Sequence, residues 1–113
     1  MNELLRVNYD SDRITLSARE LHEFLGVKTS FKDWFPRMCE YGFNESQDFN
    51  PLKNERVQFE GDRQVKRIVQ DYQITLDMAK EIAMIQRSEK GKQIRQYFLE
   101  LEKKWNSPEA VMN

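Results

Sequence analysis

Ser17 and Glu20, three residues apart and followed by Gly26, restrict this chain more tightly than any other local pattern. A serine hydroxyl at a helix start accepts from the amide three residues on, and a glutamate there reaches back to the serine amide, so the spacing predicts a helix from Ala18. Gly26 takes the left-handed conformation without a side-chain penalty and ends that helix near Leu25. Ala18, Leu21 and Leu25, with Phe24 beside them, form its apolar face, leaving His22 with Arg19, Glu20 and Glu23 on the exposed half. A short connection, Val27-Lys28-Thr29-Ser30, leads to a second helix capped by Thr29 or Ser30. Phe31, Trp34, Phe35 and Met38 recur in it at intervals of three and four. Pro36 has no amide for the Lys32 carbonyl and disfavours helical dihedrals at Phe35, so a kink or two short helical pieces is expected there.

Two capped helices around a tight turn read as a helix-turn-helix, whose second helix enters the major groove of DNA. On that reading the candidate DNA contacts are Lys28, Thr29, Ser30, Lys32 and Arg37. The lysines suit phosphate and Arg37 is the first side chain suited to bidentate base reading. The same pattern also serves a helical hairpin that supports only a core or a protein interface. Phe31, Trp34 and Phe35 carry both alternatives: they fill the core of a small domain, or some of them protrude around Pro36 as an interface hot spot.

Either side of this pair the period changes. Leu4 to Val7 and Ile14 to Leu16 flank a turn-like cluster and read as two short strands. Between Asn44 and Ile74, short extended stretches separated by Pro51 and Gly61-Asp62 predict a hairpin or wing, with Asp71 to Ile74 as a last strand. Lys66 and Arg67 on that wing join the candidate DNA contacts. Thr75 then caps a helix to about Arg87, with Leu76, Ala79, Ile82, Ala83 and Ile85 on one face. Ser88 caps another, striped by Ile94, Tyr97, Phe98, Leu101 and Trp105. Leu99 lies off that stripe and is a candidate contact to a second copy, a cyclic homodimer being the commonest homo-oligomer. The expected fold is α+β: a helix-turn-helix-like N-terminal half with a wing, followed by two C-terminal helices. It occupies residues 1–105, with 106–113 as a tail or the start of a linker.

The composition narrows the function by exclusion. Eighteen Lys and Arg against nineteen Asp and Glu leave a formal net charge of -1, so any DNA contact has to come from a local basic face. The C-terminal third supplies one candidate, with Lys80, Arg87, Lys90, Lys92, Arg95, Lys103 and Lys104. One histidine, His22, and one cysteine, Cys39, are too few for a structural zinc and allow no disulfide within the chain. Cys39, beside Met38, reads as buried and inert. No set of nucleophile, base and oxyanion donor is visible, so no enzyme activity and no cofactor is expected. No apolar run is long enough to span a bilayer, and a cytoplasmic setting, in a bacterial host cell, is expected.

Two longer blocks resemble a known family. Leu16-Ser17-Ala18-Arg19-Glu20-Leu21-His22-Glu23-Phe24-Leu25, with Val27-Lys28-Thr29, Phe31, Asp33-Trp34 and Glu40-Tyr41-Gly42-Phe43, is similar to the opening of AntA/AntB antirepressor domains. Asp71 to Met84 and Lys90-Gly91-Lys92-Gln93-Ile94-Arg95-Gln96-Tyr97-Phe98 resemble the closing half. The resemblance implies a phage or prophage protein that relieves lysogenic repression, with a phage repressor as partner and no catalytic or ligand residues. The alternatives are a DNA-binding domain in its own right and a structural or oligomerisation module. Many members carry a separate C-terminal domain, so such a domain of the same protein is an expected partner.

Overall fold

The computed structural model describes residues 4–9 and 13–105; the expected tail, 106–113, lies outside them. In chain order the elements are β1 (Val7–Tyr9), β2 (Ile14–Ser17), α1 (Ala18–Leu25), α2 (Phe31–Cys39), β3 (Phe49–Glu60), β4 (Arg63–Thr75), α3 (Leu76–Gln86) and α4 (Glu89–Trp105). The chain is a mixed α+β domain with one open sheet, ordered β1-β2-β4-β3 and antiparallel at every pairing, followed by two C-terminal helices.

The caps of α1, α3 and α4 act where the spacing places them, whereas Ser30 at the start of α2 makes no side-chain capping bond and its hydroxyl donates to Asp33 instead. The Ser17 hydroxyl accepts from the Glu20 amide at 3.2 Å, and Gly26 closes α1 in the left-handed region at φ 66°. The Glu20 carboxylate, however, turns to Arg6 at 3.4 Å rather than back to the Ser17 amide. Thr75 caps α3 by accepting from Met78, and the Ser88 hydroxyl accepts from the Gly91 amide at the start of α4. α2 is not split into two pieces at Pro36 but runs as one continuous helix. Pro36 and Lys32, one turn apart, are both exposed, so the carbonyl that loses its partner faces water instead of the core.

The wing is much larger than the short stretches predicted. Strands of 12 and 13 residues pair without a break from Phe49↔Ile74 to Glu60↔Arg63 around the two-residue turn Gly61-Asp62. Pro51 does not interrupt β3 because β3 is the edge strand, where a missing amide costs the sheet nothing. At about 3.3 Å per residue such a strand runs roughly 40 Å, so the hairpin accounts for most of the molecule's 51 Å long axis.

One core joins the rest. Leu16, Ile74, Leu21, Met78, Ile82, Ile94 and Phe98 are buried among the sheet, α1, α3 and α4. The aromatic residues of α2 cover the base of the hairpin: Phe35 stacks on Tyr72 at 4.1 Å between centroids and meets Phe49 edge-on at 5.5 Å. The Tyr97 hydroxyl donates to the Leu5 carbonyl at 3.0 Å, and Tyr9 stacks on Trp105 at 5.3 Å, fixing β1 to α4.

Candidate functional site

The hairpin base is locked by a residue that the sequence reading passed over. Asp71 is 1% exposed, and its carboxylate accepts from the Ser17 hydroxyl (2.5 Å), the Asn54 side-chain amide (2.6 Å), the Tyr72 amide (2.7 Å) and the Arg19 amide (3.0 Å). One anion thus ties β3 and β4 to the start of α1. It lies in a cleft of about 590 Å³ between hairpin and helix that also exposes Arg19, Glu20 and Glu23. Four donors saturate the carboxylate, so its chemistry is structural. The only hint in sequence is a carboxylate within a β-pattern run.

Beyond this lock the hairpin runs on along the cleft, where Glu55 and Val57 line it with Arg6, Asn8 and Glu23. Facing residues of an antiparallel pair share a face, so Phe49, Pro51, Lys53, Glu55, Val57 and Phe59 of β3 lie on one side with Ile74, Tyr72, Gln70, Ile68, Lys66 and Gln64 of β4. At the base this side is covered by α2 through Phe35 and Phe31, both ringed against Tyr72. Farther out its apolar residues continue without cover: Val57 is 49% exposed, Ile68 74% and Phe59 75%. A sheet face that is core at one end and bare at the other is the most distinctive surface among the described residues.

The candidate DNA contacts fall into separate groups. Lys28, Lys32 and Arg37 are exposed on the α1–α2 connection and on α2. Thr29 is half-buried and its carbonyl lies 2.7 Å from His22 Nε2, while the Ser30 hydroxyl donates to Asp33 at 3.2 Å. Lys66 and Arg67 sit six or more residues beyond Gln73, where β2 pairing begins, about 20 Å farther along the strand. Being consecutive, they point to opposite faces of the ribbon. Each has an acidic neighbour: Lys66 lies 3.8 Å from Glu55, and Arg67 bonds Glu60. The candidate cations thus lie on two elements, the α1–α2 connection with α2 and the hairpin, and both hairpin cations have an acidic neighbour. In the C-terminal third, Arg87, Lys92 and Arg95 line a shallow recess at the α3–α4 junction, whereas Lys80 is taken up by Glu102 at 2.7 Å and Asp77 at 3.3 Å.

The aromatic alternatives resolve to the core. Phe31, Trp34 and Phe35 are all buried, because the uninterrupted α2 turns them together toward Tyr72, Phe49 and His22. None protrudes as an interface residue. His22 is half-buried, not exposed, packed 4.9 Å from the Trp34 ring. Leu99 is half-buried on α4. Cys39 is half-buried too, and that burial raises its thiol pKa. Among the described residues no group of three or more His, Cys, Asp or Glu side chains is placed to hold a metal ion, and no helix is long and apolar enough to cross a membrane.

No curated protein and no solved structure matches the chain. The family model described as AntA/AntB antirepressor matches residues 16–88, from the α1 cap through the hairpin to the end of α3. That span is well over half the sequence and contains the Ser17–Asp71 lock, and on it the chain belongs to the AntA/AntB antirepressor family.

Proposed function

We propose that this domain relieves lysogenic repression by binding a phage repressor, with the uncovered face of the hairpin as the contact. As an AntA/AntB antirepressor the chain is a regulatory, non-catalytic module. The observation that carries the reading is the exposure of Val57, Phe59 and Ile68 together on one face of the hairpin, with Val57 at the rim of the Asp71 cleft. An aromatic side chain and two β-branched ones on a preordered backbone bring large apolar area at little entropic cost, the makeup of an interface centre. Lys66 and Glu55 beside them supply a polar rim.

Double-stranded DNA is the competing partner, and its best support is the exposure of Lys28, Lys32 and Arg37. It is the weaker reading, because the hairpin cations have acidic partners and the chain carries no net positive charge.

Calorimetric titration of the chain with the repressor of the same phage, and with its operator DNA, separates the two. Repressor binding is expected, weakened about tenfold or more by Phe59→Asp or Ile68→Asp and unchanged by Lys32→Ala. Repressor binding indifferent to both hairpin substitutions, or DNA binding alone, would overturn the proposal.

A further inference from the structure

The hairpin has an open edge as well as an uncovered face. β3 is the outermost strand, and among the described residues nothing pairs with its outer side between Pro51 and Phe59. A two-residue turn closes a hairpin on a hydrogen-bonded pair, here Glu60 and Arg63. Even-numbered residues of β3 therefore bond inward to β4, and odd-numbered ones turn their amides and carbonyls outward. Two local facts agree with that parity. The Phe49 carbonyl is outward, accepting from the Ser46 amide at 2.7 Å, and Pro51, which has no amide, occupies an outward position.

From this edge we infer that β3 pairs antiparallel with β3 of a second copy of the chain, with Gln58 on the two-fold axis. A two-fold axis normal to the sheet keeps the faces of both copies aligned, so the axis has to pass through one residue position. Centring on position 55 or 56 sets glutamate against glutamate or arginine against arginine. Centring on 57 sets Glu55 against Phe59. Centring on 58 puts Val57 opposite Phe59 of the other copy, twice. Val57 and Phe59 are both outward positions, so each such pair also exchanges two backbone hydrogen bonds. Only Gln58 meets itself, as a neutral amide that both donates and accepts.

The pairing places residues 56–60 of both hairpins in the middle of a short four-stranded ribbon, while the β3 edge nearer the base stays open. It also sets Val57 and Phe59 of one copy beside those of the other on a single face, and it requires nothing about which macromolecule that face then meets. The contact to a second copy shifts from Leu99 on α4 to the hairpin.

Sedimentation velocity of the chain alone, across micromolar to about 500 µM concentrations, tests the inference. A concentration-dependent dimer is expected. Val57→Pro removes an outward amide and leaves the β3–β4 ladder intact, as Pro51 already does, and should raise the dimer dissociation constant about tenfold or more. Gln58→Glu should do the same by placing two carboxylates together at the axis, as should Gln58→Lys. An equimolar mixture of the two Gln58 variants should recover the dimer, because each then meets the opposite charge. Circular dichroism shows whether Val57→Pro keeps its fold, and the Gln58 mixture decides the matter if it does not. A monomer throughout, or a dimer that tolerates both Gln58 variants, would overturn the pairing.

Discussion

Asp71 is surrounded by four donors from three parts of the chain, and two of its side-chain partners, Asn54 and Ser17, are 17 and 54 residues away. Asp71→Asn keeps the shape but replaces one accepting oxygen with a donor that faces other donors. Hydrogen bonds to a buried charge contribute about 1.5–3 kcal/mol each, so a loss of roughly 2–3 kcal/mol in urea melts is expected. A loss below about 0.5 kcal/mol, the level of an ordinary surface change, would show that the lock is slack. Ser17→Ala removes both the α1 cap and a donor to Asp71, so it should cost more than the roughly 1 kcal/mol of a simple cap. The cap was legible because its partners are three residues apart. The lock was not, because its donors meet only after the hairpin docks. Cys39 gives a third test at this scale. Burial raises its thiol pKa, so less of it is thiolate near neutrality. Its alkylation by iodoacetamide at about pH 8 should be slower than that of free cysteine and should reach the free rate in denaturant; equal rates in the folded chain would contradict the burial.

Helices announce themselves through local chemistry, and the bounds of α1, α3 and α4 followed from Ser17, Gly26, Thr75 and Ser88. What local chemistry does not reveal is which element lies against which. The break expected at Pro36 does not occur because Lys32 and Pro36 are exposed to water, and the interruption expected at Pro51 does not occur because β3 has a neighbour on one side only. Gly91 shows the same dependence. In an isolated helix Gly→Ala stabilises, but a Cβ at Gly91 would lie 2.6 Å from the Ala83 carbonyl of α3. Gly91→Ala should therefore destabilise by about 1–2 kcal/mol as α3 and α4 are pushed apart, and a gain in melting temperature would mean that the two helices are not in close contact. Lys80 joins the same helices. Its hydrogen bond to Glu102 raises its pKa above the usual 10.5, against the desolvation that lowers it, with Asp77 assisting. A pKa raised on folding gives stability that is complete below the unfolded value and lost as pH rises through the folded one. Lys80→Met should accordingly cost roughly 1 kcal/mol at neutral pH. That gap should close in melts taken from about pH 10 to 12, and a gap that persists there would mean that Lys80 acts through packing alone.

At the scale of the whole molecule the deciding quantity is where charge sits, because a net charge of -1 gives DNA no general attraction. Composition made that much legible, as it did the need for a local basic face. It did not show that the cations would be split between α2 and the hairpin, since that depends on a ribbon carrying Lys66 and Arg67 about 20 Å along β4 from its pairing with β2. It also did not show that those two would lie against Glu55 and Glu60. Breaking such a pair to reach a phosphate returns part of what the phosphate contact gains. Of the candidate cations, Lys28, Lys32 and Arg37 are exposed on α2 and its connection, and each neutralised phosphate contributes a slope near 0.9 in log affinity against log salt. Two or three contacts predict weak DNA binding with a total slope of roughly 2 to 3. Lys28→Ala, Lys32→Ala and Arg37→Ala should each lower it by about one unit, and Lys66→Ala should barely change it. Asp33, exposed between these cations on α2, repels phosphate, so Asp33→Ala should strengthen binding to random duplex. Fluorescence anisotropy with operator and random duplexes at several salt concentrations reads all of this directly. Nanomolar affinity that survives the three α2-side substitutions would place the nucleic-acid surface elsewhere, at the Arg87, Lys92 and Arg95 recess between α3 and α4, and would remove the argument that split charge keeps this domain off DNA.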